Sequence, residues 1–534
     1  MAVDPSKICK RLGELKAARG PHEQVWRDCY DFTHPLRADG FSGNIVDAQQ
    51  GLNRKARLVD GTATDSARML ASAIMSGLTP SNALWFQLDA DNQTQEEAQF
   101  FDTAARTLWL NIHQANFDAE AYECCLDIVD AGWFVLFIDE DRKRGGLTFE
   151  QWPISGCYVA STRSDGVVDT IYREYQLTAA AAVAEFGEDS LSKETVDLAA
   201  KRPDEKVQFV YVIEPRNPHV VGAKLAKNLP FAATVVEAKA KNLVRESGFH
   251  EFPCAVPRWM KIPNTSYGVG PVYDALPDIR MLNELKGFEL ANADLAISGM
   301  YVAEDDGVLN PHTIKLGPRK IIVANSVDSI KPLQSGSNFQ LSEMLVDKLT
   351  ASIRKVLMSD QLQPQDGPAM TATEVHVRVQ LIRQLLGPIY GRLQAEYLRQ
   401  VVERCFGLAL RAGALPPVPP SLAGRDYAVK YVSPMARAQK LEDVTAVERL
   451  FLNLGQLAQA TQDPTVFDQV DTGKAIEVTA EGLGVPAGIL RTPEQVRAIA
   501  AQRAQQQKQA QAEALAAQTT QVGAEAMAKK QATA

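Results

Sequence analysis

The residues best equipped for chemistry are scattered along this chain. The seven histidines are dispersed, and the pairs His22-Glu23 and His250-Glu251 have no second ligand nearby. No HExxH or GxSxG occurs, and neither does the GxxxxGK[ST] loop that cradles nucleotide phosphates. The seven cysteines (Cys9, Cys29, Cys124, Cys125, Cys157, Cys254 and Cys405) include no CxxC pair. They read as reduced packing thiols of a cytoplasmic protein, with no zinc site. Cys124 and Cys125 are neighbours on an expected helix, so they point to different faces as small apolar residues. Tyr267-Gly-Val-Gly270 has a GxG pattern ahead of a helix, but Pro271-Val-Tyr follows where a third glycine and a βαβ context are needed. It reads as a turn feeding a helix. The expectation is a protein with no catalytic residues, no cofactor and no metal. A hydrolase using Asp and Glu in the first half is the enzymatic alternative, and nothing converges to support it.

Two constellations remain. Thr371-Ala-Thr-Glu374 has the S/T-x-x-E form of a capping box, with Thr371 capping the Glu374 amide at the start of a long helix. The other is a contrast of charge. The segment from Pro271 to Ser298 carries Asp274, Asp278, Glu284, Glu289 and Asp294 against Arg280 and Lys286. The segment after it carries Lys315, Arg319, Lys320 and Lys331 against Asp328, behind an acidic turn at Glu304-Asp-Asp306. Solvated faces are the plain explanation of both.

These residues need elements to position them. Pro271 suits a first helical position, and Leu276, Ile279, Leu282, Leu285 and Phe288 recur at helical spacing, giving a rod over 271–298 about 40 Å long. A small β module spans roughly 300–333, and a second helix 339–358. The loop Gln361-Leu-Gln-Pro-Gln-Asp-Gly-Pro368 separates it from a third, long helix. Before this frame, residues 1–260 read as an α+β domain. Helices come first (7–33 with a break at Gly20-Pro21, 60–78, 96–115 and 119–131), and short antiparallel strands follow between 133 and 246. After it come Leu415-Pro-Pro-Val-Pro-Pro-Ser421, a strand at 427–432, helices at 437–463 and 473–483, and an Ala/Gln-rich tail from Pro493. The tail has high helix propensity but few large apolar residues, so it frays or packs with partner copies.

The composition, 46% hydrophobic and 23% charged, is that of an ordinary globular protein. A net charge of -9 argues against broad phosphate binding by the chain as a whole. The longest apolar run, Trp133 to Ile138, is far short of a membrane span, and no secretory signal is expected at the N-terminus.

In the order of its elements the chain resembles the head-to-tail connector (portal) proteins of short-tailed, T7-like bacteriophages. The resemblance rests on Trp259-Met-Lys-Ile-Pro-Asn-Thr-Ser-Tyr-Gly-Val-Gly-Pro271, on Leu282-Asn-Glu-Leu285, and on Met370-Thr-Ala-Thr-Glu374. Glu23, Trp26, Tyr30 to Pro35, and Thr64 to Pro80 leading to Trp85-Phe86 are similar as well. It implies a ring of about twelve copies around an axial DNA channel. Residues 1–260 would be the wing and 261–298 the first stem helix. The clip would be 299–338, the second stem helix 339–358 and the tunnel loop 359–370. Residues 371–436 would be a long wing helix and return strand, and 437–534 a helical crown.

The resemblance further implies that the portal nucleates the procapsid with major capsid and scaffolding proteins and docks the terminase large subunit for packaging of double-stranded DNA. It would then join tail adaptor and tail tube proteins and pass DNA during ejection. The virion, assembled in the host cytoplasm, would be its location. Asp274, Asp278, Glu284 and Asp294 would line the channel and let DNA slide. Lys315, Arg319, Lys320 and Lys331 would meet terminase or adaptor. Leu362, Gln363, Gln365 and Asp366 would stand in the tunnel loop. That loop holds Asp360 and Asp366 but no Lys or Arg, which suggests steric gating rather than a basic grip. A tail adaptor or internal core protein is the structural alternative.

Overall fold

The computed structural model describes residues 4–38, 41, 55–89, 94–141, 144–217, 225–298, 301–303, 330–332, 339–362, 387, 389–422, 428–431, 434–461 and 470–483, with scattered helical positions between 496 and 509. The chain forms two compact units. One comprises Met1–Trp85 with Leu108–Ala414, the other Phe86–Thr107 with Leu415–Ala534.

The first unit opens with α1 (Pro5–Phe32), one continuous helix capped by the Asp4 side chain on Ser6 N–H. The expected break at Gly20-Pro21 is absent. A proline inside a helix costs about 3 kcal/mol, and here packing on both sides of it offsets that cost. Ile8, Leu12 and Leu15 bury against Tyr158, Tyr172, Val210 and Val236, while Trp26 and Tyr30 enter a second cluster with Trp133 and Trp152. Between them Arg19, fully buried, donates to the carbonyls of Ile154 (2.9 Å), Cys157 (2.7 Å) and Ser155 (2.8 Å) and pairs with Glu23. A buried guanidinium satisfied in this way fixes the helix across its proline.

Helix α2 (Thr62–Leu78) buries Ala63, Ala67, Leu70, Ala71 and Ile74 at helical spacing. Strand β1 (Phe86–Asp89) and the first part of α3 (Gln95–Gln114) belong to the second unit. Helix α4 (Phe117–Asp130) is buried on every side from Cys124 onward, so Cys124 and Cys125 are both buried. Burial pushes the Cys125 thiol up to about 12 and the Cys124 thiol well above its ordinary value, so both are inert packing groups.

Next come β2 (Val135–Glu140), β3 (Leu147–Trp152), β4 (Cys157–Ala160) and β5 (Thr170–Thr178). Helices α5 (Ala179–Phe186) and α6 (Lys193–Lys201) lead to β6 (Lys206–Pro215), β7 (Phe231–Glu237), β8 (Asn242–Phe249) and β9 (Cys254–Ala255). The strands form a five-stranded antiparallel meander, β4-β5-β6-β7-β8, and a three-stranded sheet, β3-β2-β9. This is the α+β fold expected, helices first and then antiparallel sheet.

The small hairpin of β10 (Met260–Lys261) and β11 (Gly268–Val269) delivers the chain to α7 (Pro271–Ser298). After a pair of short strands, β12 (Tyr301–Ala303) and β13 (Ile330–Pro332), the chain returns as α8 (Phe339–Val356) and a single turn, α9 (Ser359–Leu362). Residues 389–411 are helical, with a π turn at Gln394–Leu398 followed by α10 (Arg399–Arg411). In the second unit, β1 pairs antiparallel with β14 (Ala428–Tyr431), and α11 (Pro434–Thr461) packs against α12 (Thr472–Leu483).

Candidate functional site

The α7–α8 hairpin exposes several large apolar residues along one side, and its geometry starts at its root. Gly132, at φ +86°, ends α4, and the backbone of Val269-Gly270 lies directly on it: a Cβ there would stand 1.9 Å from the Val269 carbonyl carbon. Gly270 faces the Val129 carbonyl and Gly268 the Gly132 carbonyl, each too close for a side chain. The GxG of Tyr267–Gly270 therefore serves backbone-on-backbone packing. Aromatic rings close the joint: Trp26, Trp133 and Tyr267 pack with centroids 5.2–5.4 Å apart, and Trp26 Nε1 donates to the Gly268 carbonyl.

A buried ion pair braces the same root. Arg258 is 2% exposed and binds Glu396 twofold, Nη2 to Oε1 at 2.6 Å and Nε to Oε2 at 3.1 Å, with its own backbone N–H on Oε2. Glu396 lies in the π turn, whose extra residue brings it to bear while Arg392 donates to the Trp259 carbonyl. Further along, α10 is held by Glu251, which takes two bonds from Arg411 and one from Arg404. Burial alone would raise the Glu251 carboxyl; Arg411 and Arg404 outweigh it and hold it below the usual range. Beneath the root, Tyr30, Arg37 and Gln151 converge on the buried Asp127.

From this root α7 buries Val272, Ala275, Leu276, Ile279 and Leu282 at three- and four-residue spacing. Two hydroxyl–carboxylate bonds join it to α8: Ser352 Oγ to Asp278 at 2.6 Å and Ser342 Oγ to Glu289 at 2.6 Å. They fix an antiparallel register. At ~100° per residue, the side of α7 away from the core carries Tyr273, Asp274, Met281, Glu284 and Phe288, all exposed, Phe288 by 66%. The corresponding side of α8 carries Met344, Lys348 and Lys355, exposed as well.

The four carboxylates expected to line a channel do not form one stripe. Asp274 and Glu284 share the outward side; Asp278 turns to α8; Asp294, exposed, lies on a different side of the helix. Lys331 sits in β13, and Leu362 ends α9. Lys315, Arg319, Lys320, Gln363, Gln365, Asp366 and the Thr371–Glu374 cap lie outside the described residues. Sequence reasoning missed the Gly132 contact, the Arg258–Glu396 pair and the lysines of α8. Of these, only the lysines left a readable signal, a seven-residue spacing within an expected helix. No helix of the described residues is long and apolar enough to cross a membrane.

The comparisons with known proteins agree with this frame. The model of the family described as bacteriophage head to tail connecting protein matches residues 6–490. The chain belongs to that family. It is 27% identical over 522 residues to the probable portal protein of Bordetella phage BPP-1, covering 94% of this chain and 92% of that protein. It is also 27% identical over 555 residues to the portal protein of Salmonella phage epsilon15, covering 99% and 96%. The protein is accordingly a structural, non-enzymatic component of the phage head, a head-tail connector.

Proposed function

We propose that copies of this chain form a ring, of about twelve by the family resemblance, around a channel for double-stranded DNA at one capsid vertex. The observation that carries this reading, beside the family, is the hairpin's outward face. Met281, Phe288 and Met344 are exposed there. Such an apolar strip on a well-packed body is a surface for a neighbouring copy or partner.

On this reading residues 1–260 are wing, 261–298 and 339–358 stem, 299–338 clip, 359–370 tunnel loop, 371–436 wing helix and return strand, and 437–534 crown. The clip meets the terminase large subunit during packaging and a tail adaptor afterwards, through Lys315, Arg319, Lys320 and Lys331. Major capsid and scaffolding proteins assemble around the ring in the host cytoplasm. Leu362, Gln363, Gln365 and Asp366 gate the channel by bulk, and deleting 361–367 should release DNA from filled heads.

The test is assembly without the chain. Particles made in its absence should contain no DNA, and supplying it in trans should restore filled heads. DNA-filled heads formed without it would overturn the reading. Reversing Lys315, Arg319 and Lys320 should weaken terminase docking and leave rings intact.

A further inference from the structure

We propose that His113 is a proton-sensitive clasp. As a neutral ring it holds Trp85 where the chain leaves the first compact unit, and on taking up a proton it lets Trp85 go.

The roles of the two ring nitrogens are fixed by their partners. An indole nitrogen can only donate, and Trp85 Nε1 lies 3.1 Å from His113 Nε2, which therefore offers a lone pair. On the other side Nδ1 lies 2.8 Å from a carboxylate oxygen of Asp118, so it carries the proton and donates. The neutral ring makes both bonds at once in this one tautomer. A second proton has one place to go, Nε2, and there it sets an N–H against the N–H of Trp85. The bond to Asp118 survives that change and gains charge assistance. Protonation thus releases one partner and keeps the other.

The surroundings give the displaced donor little relief. Trp85 is 1% exposed, and the His113 side chain 9%. Phe117 stands edge-on to the imidazole at 5.7 Å and stacks on Trp85 at 6.4 Å, while Trp109 tilts against the imidazole at 5.2 Å. The indole N–H of Trp109 is itself buried with no acceptor among the described residues, so this corner is already rich in donors. Strand β3 adds a ring, Phe149 against Phe117. Among the described residues the charged group bonded to His113 is Asp118, in the first turn of α4 and 38% exposed. On α3 itself the charged pair Arg106–Asp102 lies two turns and more before it. The carbonyl end of α3 favours a cation at His113, and the amide end of α4 opposes one.

Placement gives the clasp its consequence. Trp85 is the last residue of the first unit before the chain passes to the second, and Leu108 is the first on its return. His113 follows five residues later on the same helix. The Trp85–His113 bond therefore ties the outgoing chain to the returning chain, on the first unit's side of both crossings. Losing it loosens both segments together and leaves the meander untouched.

The test is hydrogen exchange, read by mass spectrometry on the purified full-length chain at about pH 7.5 and about pH 5.5, a span in which histidines change charge. Rates are corrected for the intrinsic effect of pH. Peptides covering Trp85–Leu88 and Leu108–His113 should lose about tenfold in protection at the lower pH, relative to β5 and β6, as expected for one buried hydrogen bond. His113→Gln sets a carboxamide oxygen near the Nε2 position and does not titrate, so its protection there should be the same at both pH values. Trp85→Phe removes the donor, so protection should be lower than wild type at the higher pH and equally flat. Wild type with unchanged protection across the two pH values would overturn the proposal. So would His113→Gln losing protection as wild type does, since another group would then be titrating. Should His113→Gln fail to fold, Trp85→Phe decides: an acid-induced loss that persists without the indole N–H overturns the clasp.

Discussion

At its root, α7 is held by backbone packed on backbone. Val269-Gly270 lies on Gly132, three aromatic rings seal the joint, and Glu396 answers Arg258 on three of its groups. About three to five turns on, the same helix turns Met281, Glu284 and Phe288 to solvent, and α8 beside it turns out Met344, Lys348 and Lys355. The root and the inner side of the hairpin satisfy their groups within the chain, whereas the outward face leaves apolar surface and charge exposed along its length. On the proposed reading the difference separates two kinds of work: the root fixes where the hairpin stands, and the outward face acts on what lies beyond the protomer. Substitutions at the root should cost the fold, and substitutions on the face should cost assembly or DNA handling.

The largest effect should come from Gly132→Ala. A Cβ 1.9 Å from backbone, at a positive φ, leaves no room for relaxation. A loss above ~4 kcal/mol is expected, read as insoluble or unfolded chain. A soluble variant with wild-type melting would show that the root is less closed than described. Next, Glu396→Ala should cost about 3–5 kcal/mol, because Arg258 would remain buried without its partner. Denaturant melts measure it, and a change under ~1 kcal/mol would count against the brace.

Glu251 gives a pH signature. Its folded carboxyl is held below the usual range, so its contribution to stability is present above the ordinary carboxylate value and is lost as pH falls through the folded one. Wild type should therefore lose more stability on acidification than Glu251→Gln, which at neutral pH should be less stable by roughly 2 kcal/mol. Parallel pH profiles would refute this. The smallest effect on the fold should come from Glu284→Gln on the outward face, within ~0.5 kcal/mol of wild type. A large loss there would erase the distinction between root and face.

Much of this layout could be read from the sequence because it rests on local signals. Pro271 and the apolar spacing placed α7 at 271–298, and α8 and the strands either side of the Ser164-Asp-Gly166 turn followed similar cues. What escaped was tertiary. Nothing near Gly20-Pro21 says that Arg19 will meet three carbonyls more than a hundred residues away, so a break was expected where α1 runs through. Gly132 and Gly270 look like two ordinary turn residues until the fold presses them together. That Asp278 accepts a hydrogen bond from Ser352 of α8 is equally invisible in the sequence. The face of a helix can be counted from sequence; what stands opposite that face cannot.

The most direct test of the account is the mass of the purified full-length chain in solution, with negative-stain images of the same sample. Closed rings of about twelve copies with a central hole are expected. A chain that stays monomeric across protein concentration and salt would contradict the account, for its outward face would then have no neighbouring copy to meet.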